Sequence, residues 1–172
     1  MFYNRNLNRQ SSLGKLIALK CVIFTIVCFS WITAHAQEQK TILAFGDSLL
    51  TSQGLESGES FPEQLESNLN NLGQSTQVIQ AGFDGYTTED AVQIIDEILD
   101  SNPDIDLVVF IFGGNDYFQR VPTEITRQNM DRMLKAITDR NIPTLMAGLI
   151  IPYNGYLGYS NRLNDVYTEL AD

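Results

Sequence analysis

A serine that follows a short apolar run is the residue of this sequence that most directly suggests covalent chemistry. Thr41–Phe45 shows no polar alternation, which is typical of a strand covered on both faces, and Gly46-Asp47-Ser48-Leu49 comes directly after it. A hydroxyl just after a strand and at a helix start is exposed to substrate, and the positive end of a helix dipole favours negative charge there. The pattern makes Ser48 a candidate nucleophile.

Two further glycine-containing loops follow apolar runs later in the chain. Gly82 to Gly85 follows Gln77–Ala81, and Gly113-Gly114-Asn115-Asp116 follows Leu107–Phe112. In an open parallel sheet, ligands bind beyond the carboxyl ends of the strands, so all three loops are expected at one edge. Turn chemistry alone would explain any single one of these loops. Their convergence is what predicts a functional site.

The elements that must position these loops alternate as strand and helix four times, which predicts a parallel α/β sheet with right-handed crossovers. Helices are predicted to begin at a capping box at Ser60, at Thr87 and at about Thr123. Thr144–Ile151 is predicted as a fourth strand, and Ser160 as the cap of a last helix. The apolar residues expected to face inward from the helices are Phe61, Leu65, Leu69, Leu72, Ala91, Ile94, Ile95, Ile98, Leu99, Met130, Met133, Leu134, Ile137, Leu163, Val166, Tyr167 and Leu170.

Residues 1–36 have the composition of a secretory signal peptide, with cleavage expected after Ala36. Basic residues without any acid precede the apolar stretch Cys21 to Thr33, and Ala34-His35-Ala36 is a small-x-small cleavage signature. The apolar stretch is short against the roughly 20 residues of a membrane-spanning helix, which disfavours an uncleaved anchor. We expect a periplasmic or secreted protein with no stable membrane insertion after cleavage.

Cleavage would change the chemical inventory, because both cysteines and the only histidine, His35, lie in the leader. The remaining chain would have no disulfides, no thiol chemistry and no histidine-based metal site, and it would lack the usual base at neutral pH. Its formal charge would change from −10 to 7 − 21 = −14, which disfavours nucleic acid and anionic membranes as partners. No cofactor is predicted.

Taken in order, the three loops carry a resemblance to a known family. Gly46-Asp47-Ser48-Leu49, Ala81-Gly82-x-x-Gly85 and Gly113-Gly114-Asn115-Asp116 resemble the conserved blocks of the SGNH or GDSL serine ester hydrolases. The chain is most similar to secreted bacterial arylesterases of the thioesterase and lysophospholipase I type. The resemblance covers Lys40 to Asp172 and implies a three-layer α/β/α fold with a flavodoxin-like parallel sheet. It also implies hydrolysis of a small ester or lipid-like substrate.

The resemblance also implies roles for individual residues. Ser48 would be the nucleophile, and the oxyanion would be held by the backbone N–H groups of Ser48 and Gly85 and by the side-chain amide of Asn115. Asn115 suits this role because its amide donates hydrogen bonds without carrying charge. Asp47 and Asp116 are interpreted as structural carboxylates that accept hydrogen bonds from loop amides.

The resemblance fails for the general base, which in the family is a histidine near the C-terminus with an aspartate three residues before it. No residue from 37 to 172 is a histidine, and Asp165 and Asp172 are poor substitutes because they lie in or beside the last predicted helix. We therefore expect residues 37–172 to be a C-terminally incomplete domain, missing its last strand and helix and nearly inactive. The strand that neighbours the gap would then present an unpaired edge and invite aggregation.

Three other functions fit parts of the same pattern. A metal-dependent phosphohydrolase would use Asp47, Asp84 and Asp116 as oxygen ligands and would need no histidine. A phosphate or flavin binder would hold its anion with the hydroxyl groups of Ser48, Thr51 and Ser52. A secreted pseudo-hydrolase would bind an acyl ester or a glycan without cleaving it.

Overall fold

The computed structural model describes residues 38–150 and 157–171, and from Gln39 onward these belong to one compact unit, Gln39–Asp172. The predicted leader and the segment Ile151-Pro152-Tyr153-Asn154 lie outside the described residues. Among the helices in the described ranges, none combines the length and the apolar character needed to cross a bilayer.

Four parallel strands form one sheet in the order β2-β1-β3-β4. Gly46 pairs with Gly82 on one side and with Ile111 on the other, so the first three strands end at the same level. This confirms the predicted parallel α/β sheet and explains why the three loops leave it from one edge. The strands are β1 (Lys40–Gly46), β2 (Thr76–Gly82), β3 (Leu107–Ile111) and β4 (Thr144–Met146).

Helices lie on both faces of the sheet, as the absence of polar alternation in β1 and β3 predicts. On one face, Phe45 and Phe110 pack with apolar residues of α2, α3, α5 and α6, and on the other face Ile42 and Val109 pack near Leu65 of α1. The helices are α1 (Phe61–Asn71), α2 (Thr88–Ala91), α3 (Ile95–Ser101), α4 (Gly114–Gln119), α5 (Thr123–Thr138) and α6 (Leu157–Ala171).

Side chains of α1 occupy the outer edge of β2, which has β1 as its only strand partner among the described residues. The carboxylate of Glu66 accepts a hydrogen bond of 2.7 Å from the backbone N–H of Val78. The side-chain amide of Asn70 accepts from the backbone N–H of Thr76 at 3.0 Å and donates to its carbonyl at 2.9 Å. These side chains therefore satisfy edge groups that would otherwise be open to another strand.

Several predicted boundaries are wrong. The helix predicted from Thr87 is interrupted between α2 and α3, where the N–H of Ile94 bonds to the carbonyl of Ala91, three residues back. The apolar stripe continues through this tighter turn, so the sequence pattern does not reveal it. The strand predicted as Thr144–Ile151 ends at Met146, although the N–H of Ala147 still bonds to β3. Residue 151 itself lies outside the described residues.

The ends of two helices also differ from the predictions. Ser160 does not cap the last helix, because α6 begins at Leu157 and Ser160 is buried within its first turns. Phe61 and Leu72, which were expected to face inward, are 43% and 77% exposed. Both stand at the ends of α1, where the helix no longer covers the sheet, so its periodic pattern overestimates the buried stripe.

Candidate active site

Ser48 begins a single 3₁₀ turn (Ser48–Leu50) at the carboxyl end of β1. Asp47 caps this turn, since its carboxylate accepts a hydrogen bond of 3.0 Å from the N–H of Leu49. Leu50 is fully buried and anchors the turn, whereas Ser48 and Leu49 are exposed. The exposure of Ser48 agrees with the prediction, but a three-residue turn supplies little of the helix dipole that the sequence suggested.

Gly46 brings the first loop close to β3. The N–H of Asp47 donates to the carbonyl of Ile111 at 3.2 Å, and a Cβ atom at Gly46 would collide with that same carbonyl oxygen and with the Leu50 side chain. Only glycine fits this approach without displacing the neighbouring backbone. The glycine before Asp47 and Ser48 is thus required by packing between adjacent strands.

The second loop is a tight turn around Gly85 that is bonded to the first loop. The N–H of Tyr86 closes the turn on the carbonyl of Phe83 at 3.3 Å, and Gly85 has φ of 75°, a conformation that favours glycine. The N–H of Phe83 donates to the carbonyl of Gly46 at 3.0 Å. A Cβ atom placed on Gly85 would meet no atom within 4 Å, so the space beside this exposed turn is open.

A single hydroxyl joins the serine turn to the Gly85 turn. Thr51 Oγ1 lies 3.1 Å from the carbonyl oxygen of Ser48 and donates at 2.8 Å to the carboxylate of Asp84, the residue before Gly85. The backbone N–H of Thr51 also donates to the Ser48 carbonyl, at 3.2 Å. These contacts fix the two loops relative to each other.

The third loop places Asn115 in the first turn of α4, half-buried and directed at the second loop. Its side-chain Nδ2 donates to the carbonyl of Tyr86 at 2.9 Å. An amide nitrogen carries two donors, so this bond orients the group and uses one of them. A Cβ atom on Gly114 would lie 3.3 Å from Asp47 Oδ2, which shows how closely the third loop approaches the first.

Asp116 is fully buried and binds the third loop to α2 and α5. Its carboxylate accepts hydrogen bonds from the N–H of Thr88 at 3.0 Å, from the hydroxyl of Thr88 at 2.6 Å and from the hydroxyl of Thr126 at 3.0 Å. Three donors around one enclosed carboxylate are the environment of a structural group. The structural role of Asp116 stays a prediction, and these three hydrogen bonds give the reason for it.

Asp47 is also buried, with only 2% of its surface exposed. Burial raises the pKa of this carboxyl above its ordinary value, and the hydrogen bond from the Leu49 N–H opposes that rise. The nearby carboxylate of Asp116 raises the pKa of Asp47 further. The two carboxyls that flank the site are therefore close enough to influence each other.

Two tyrosines of α6 hold the third loop, and the sequence analysis missed this contribution. The buried hydroxyl of Tyr167 donates to the carbonyl of Phe112 at 2.8 Å, just before α4. The hydroxyl of Tyr159 contacts the carbonyl of Asp116 at 3.2 Å and also that of Val121. Tyr167 was expected only as an inward apolar residue, and nothing in the helical pattern signals the hydroxyl contacts.

The carboxylates proposed for a phosphohydrolase do not form a metal site. Within residues 38–150 and 157–171, no three Asp, Glu, His or Cys side chains are placed to hold an ion together. Asp116 is enclosed by its own donors, and Asp84 accepts a hydrogen bond from Thr51. This overturns the idea of a three-aspartate metal centre.

Comparisons with known proteins agree with these features. Residues 44–172 match the model of the GDSL-like Lipase/Acylhydrolase family. An arylesterase of Vibrio mimicus is 28% identical over 150 residues, covering 87% of this chain and 74% of the relative. Esterase TesA of Pseudomonas aeruginosa is 26% identical over 140 residues, covering 81% of this chain and 69% of the relative.

A solved structure of an esterase has a similar fold. AlinE4, described as an SGNH-hydrolase family esterase, superposes with a TM-score of 0.75 and 38% identity, over 78% of this chain and 71% of its own. The parallel sheet with helices on both faces is thus shared with a known esterase. The chain belongs to the GDSL-like lipase and acylhydrolase family.

Proposed function

We propose that Ser48 is the nucleophile of an esterase that acts on small carboxylic esters. The supporting observation is the set of direct hydrogen bonds that connects the three loops at one sheet edge. Thr51 joins the Ser48 turn to the Gly85 turn, and Asn115 donates to the residue that follows Gly85. Because the loops are fixed to one another, a hydroxyl and its candidate amide donors belong to one rigid arrangement.

In the proposed reaction, the Ser48 oxygen attacks the ester carbonyl and its proton leaves to a base. The carbonyl oxygen becomes an oxyanion that accepts hydrogen bonds from the N–H groups of Ser48 and Gly85 and from Asn115. Collapse of this intermediate expels the alcohol and leaves an acyl group on Ser48, which water then removes. The hydrogen bond from Asn115 to the Tyr86 carbonyl supports this role, because it holds the amide in place before substrate arrives.

The step that residues 37–172 support least is removal of the Ser48 proton, because a suitable base is missing among them. The only histidine is His35, within the predicted leader, and residues 37–172 contain none. An unassisted serine hydroxyl is a poor nucleophile, and a triad without its base retains only the contribution of the oxyanion donors and of substrate binding. We therefore propose that residues 37–172 alone turn over esters very slowly.

Esters of aryl alcohols are the substrate class that we favour. One relative is named an arylesterase and another an esterase. An aryl alcohol is also a good leaving group, with a pKa of about 10 for a phenol, so its expulsion needs little protonation. That property matters most where no strong general acid is available.

A serine-directed fluorophosphonate tests the nucleophile on the full chain. We expect the label on Ser48 by peptide mass spectrometry after long incubation, and we expect Ser48→Ala to abolish it. Ser52→Ala is the matched control, because this exposed serine lies in the same loop region. Labelling of Ser52 instead of Ser48 would contradict the proposal.

Turnover tests the proposed impairment separately. Phenyl acetate hydrolysis is compared between the chain as written and a version extended by a strand and an Asp-x-x-His segment taken from a relative. We expect the extension to raise kcat by about a thousandfold or more, since removing triad members typically costs at least that much. Equal turnover by both proteins would show that the base is not what limits this chain.

The proposed export of the chain can be tested separately. We propose export through residues 1–36, with cleavage after Ala36, on the strength of the basic and apolar pattern. Fractionation of expressing bacterial cells and N-terminal sequencing of the product should find Gln37 as the first residue outside the cytoplasm. Intact Met1 in the cytoplasmic fraction would contradict export.

A further inference from the structure

A groove of about 300 Å³ lies beside the Gly85 turn, a volume at the lower end of the range for ligand pockets. Its aromatic wall consists of Phe83 and Tyr86, and its aliphatic wall consists of Ile94 and Ile98. None of these four side chains has a role in the reaction proposed above, which uses only the backbone carbonyl of Tyr86. The groove therefore needs an explanation of its own.

The aromatic wall is flat and firmly held. The rings of Phe83 and Tyr86 stack with centroids 4.9 Å apart and planes 21° apart. Phe83 also meets Phe45 of the core edge-on, with centroids 6.5 Å apart. Tyr86 is thus supported by a ring that is itself anchored in the core. A rigid aromatic surface of this kind suits another flat ring, through stacking or edge contacts.

The charges around the groove disfavour anionic ligands. Glu97 places a carboxylate beside the groove, Ser101 adds a hydroxyl, and no lysine or arginine lines it. A carboxylate or phosphate ligand would be repelled here and would lose its hydration without a cationic partner. The groove is consequently suited to a neutral apolar group.

The groove is bonded directly to the candidate active site. The N–H of Phe83 donates to the carbonyl of Gly46, and the carbonyl of Tyr86 accepts from Asn115. Both aromatic residues flank the Gly85 turn, where the space beside the α-carbon is open. The aromatic wall of the groove therefore belongs to the same turn as Gly85.

We propose that this groove binds the neutral aryl group of an ester whose carbonyl lies at Ser48 and Gly85. The assignment rests on the proposed esterase function and adds a place for the aryl part of the substrate. It makes Tyr86 and Ile98 specificity-determining residues.

Binding can be measured on the full chain because slow turnover leaves the ester intact. Naphthyl acetate is titrated into isotope-labelled protein while the amide resonances are followed, with vinyl acetate as the ester that lacks a ring. We expect saturable shifts at Phe83, Tyr86 and Ile98 with naphthyl acetate and none of comparable size with vinyl acetate.

Two groove variants, Ser101→Trp and Ile98→Ala, and one control variant, Gln93→Trp, locate the binding site. Ser101→Trp fills the groove from its exposed rim, and Gln93→Trp places the same side chain at an exposed position that does not line it. We expect Ser101→Trp to weaken naphthyl acetate binding by at least about tenfold, or about 1.4 kcal/mol, and Gln93→Trp to leave it unchanged. Ile98→Ala is a second variant that reduces the wall without filling the groove, and it should weaken binding as well.

Equal binding by the two tryptophan variants would overturn the assignment, and so would shifts confined to residues outside the groove. Tighter binding of acetylcholine than of naphthyl acetate would overturn it in favour of a cation site formed by Tyr86 and Glu97. Fluorophosphonate labelling separates the two proposals. Labelled Ser48 without naphthyl acetate binding overturns the groove alone, whereas binding without labelling overturns the nucleophile.

Discussion

Asp116 is a charged residue that is fully buried beside the candidate active site. Its buried carboxylate accepts two hydrogen bonds from Thr88 and one from Thr126, and it therefore joins α2 to α5. Buried carboxylates are tolerated when their oxygen atoms are hydrogen-bonded in this way. The loop that carries Asn115 depends on this residue for its position.

We expect Asp116→Ala to lower the free energy of unfolding by about 3 kcal/mol or more, because it leaves three buried donors without an acceptor. Asp116→Asn keeps one acceptor oxygen and should cost about half as much. Urea denaturation measures both values. Asp104→Ala is the control, since that aspartate is exposed. A loss no larger than that of the control would contradict the structural role.

Asp47 should make stability depend on pH. Its folded pKa lies above the ordinary value of an aspartate, chiefly through burial, so the folded state binds this proton more tightly than the unfolded chain. The associated stability is present below the unfolded pKa and is lost as the pH rises through the folded pKa. The carboxylate of Asp116 and the hydroxyl of Tyr167 are the other titratable groups coupled to it.

Asp47→Asn removes this titration and can keep the acceptor for the Leu49 N–H. We expect the free energy of unfolding of the variant, relative to the natural chain, to increase as the pH rises from about 4, the ordinary pKa of an aspartate, through the folded pKa of Asp47. Urea denaturation across that range gives the difference. A difference that falls with rising pH would show that the sign of the pKa shift is wrong.

For individual residues, the sequence predicts whether a side chain is exposed better than it predicts its hydrogen-bond partners. The exposure of Ser48 follows from local pattern, whereas the burial of Asp47 and Asp116 was not predicted. The contacts from Tyr159 and Tyr167 were not predicted either, because a periodic stripe reports that a side chain is inward without reporting where its hydroxyl ends.

Among the elements, α1 has a second task besides covering the sheet. Its residues Glu66 and Asn70 bond to the backbone of β2, on the side away from β1. A helix that satisfies an edge strand also prevents another chain from pairing there. This protection depends on two polar side chains that a hydrophobic pattern ignores.

We expect Asn70→Ala to cost about 1–2 kcal/mol of unfolding free energy, because it removes two hydrogen bonds to Thr76. Asn71→Ala is the matched control, one residue further along the same helix. Thermal or urea denaturation, together with light scattering during refolding, measures stability and edge pairing. Indistinguishable behaviour of the two variants would contradict the protective role.

Apolar runs locate the strands well because both faces of a parallel sheet are buried, as β1 and β3 illustrate. Helix interruptions are harder to predict, because the stripe from Ala91 to Leu99 is continuous whereas the backbone is not. The short helix α4 was missed for a related reason. It begins directly at Gly114 in the third loop and is too brief to show a period.

For the whole molecule, the sheet has unequal edges. α1 satisfies the β2 edge, whereas β4 has β3 as its only strand partner within residues 38–150 and 157–171. Leu145 of β4 is 60% exposed and Ile150 is 95% exposed. Exposed apolar groups beside an open strand favour association between chains.

We expect Leu145→Lys to increase the fraction of monomer in size-exclusion chromatography, because a charged residue on an edge strand opposes pairing. Leu72→Lys changes a residue that is 77% exposed at the end of α1 and serves as the control. An equal effect of the two variants would mean that general hydrophobicity, and not this edge, controls association.

Strand order is the property of the whole molecule that local pattern leaves open. Alternation of strands and helices is compatible with several arrangements, and the placement of β1 between β2 and β3 is decided by packing across the sheet. The family resemblance supplied the flavodoxin-like arrangement. The convergence of the three loops needed only that the strands be parallel and adjacent.

The two tyrosines of α6 also determine when, during synthesis of the chain, the site can be completed. Phe112, whose carbonyl receives the Tyr167 hydroxyl, is synthesised 55 residues earlier. Domains begin to fold while the ribosome is still adding residues, starting with the segments made first. The serine turn can therefore form early in synthesis, whereas the loop that carries Asn115 acquires its final hydrogen bonds only after α6 has emerged and docked.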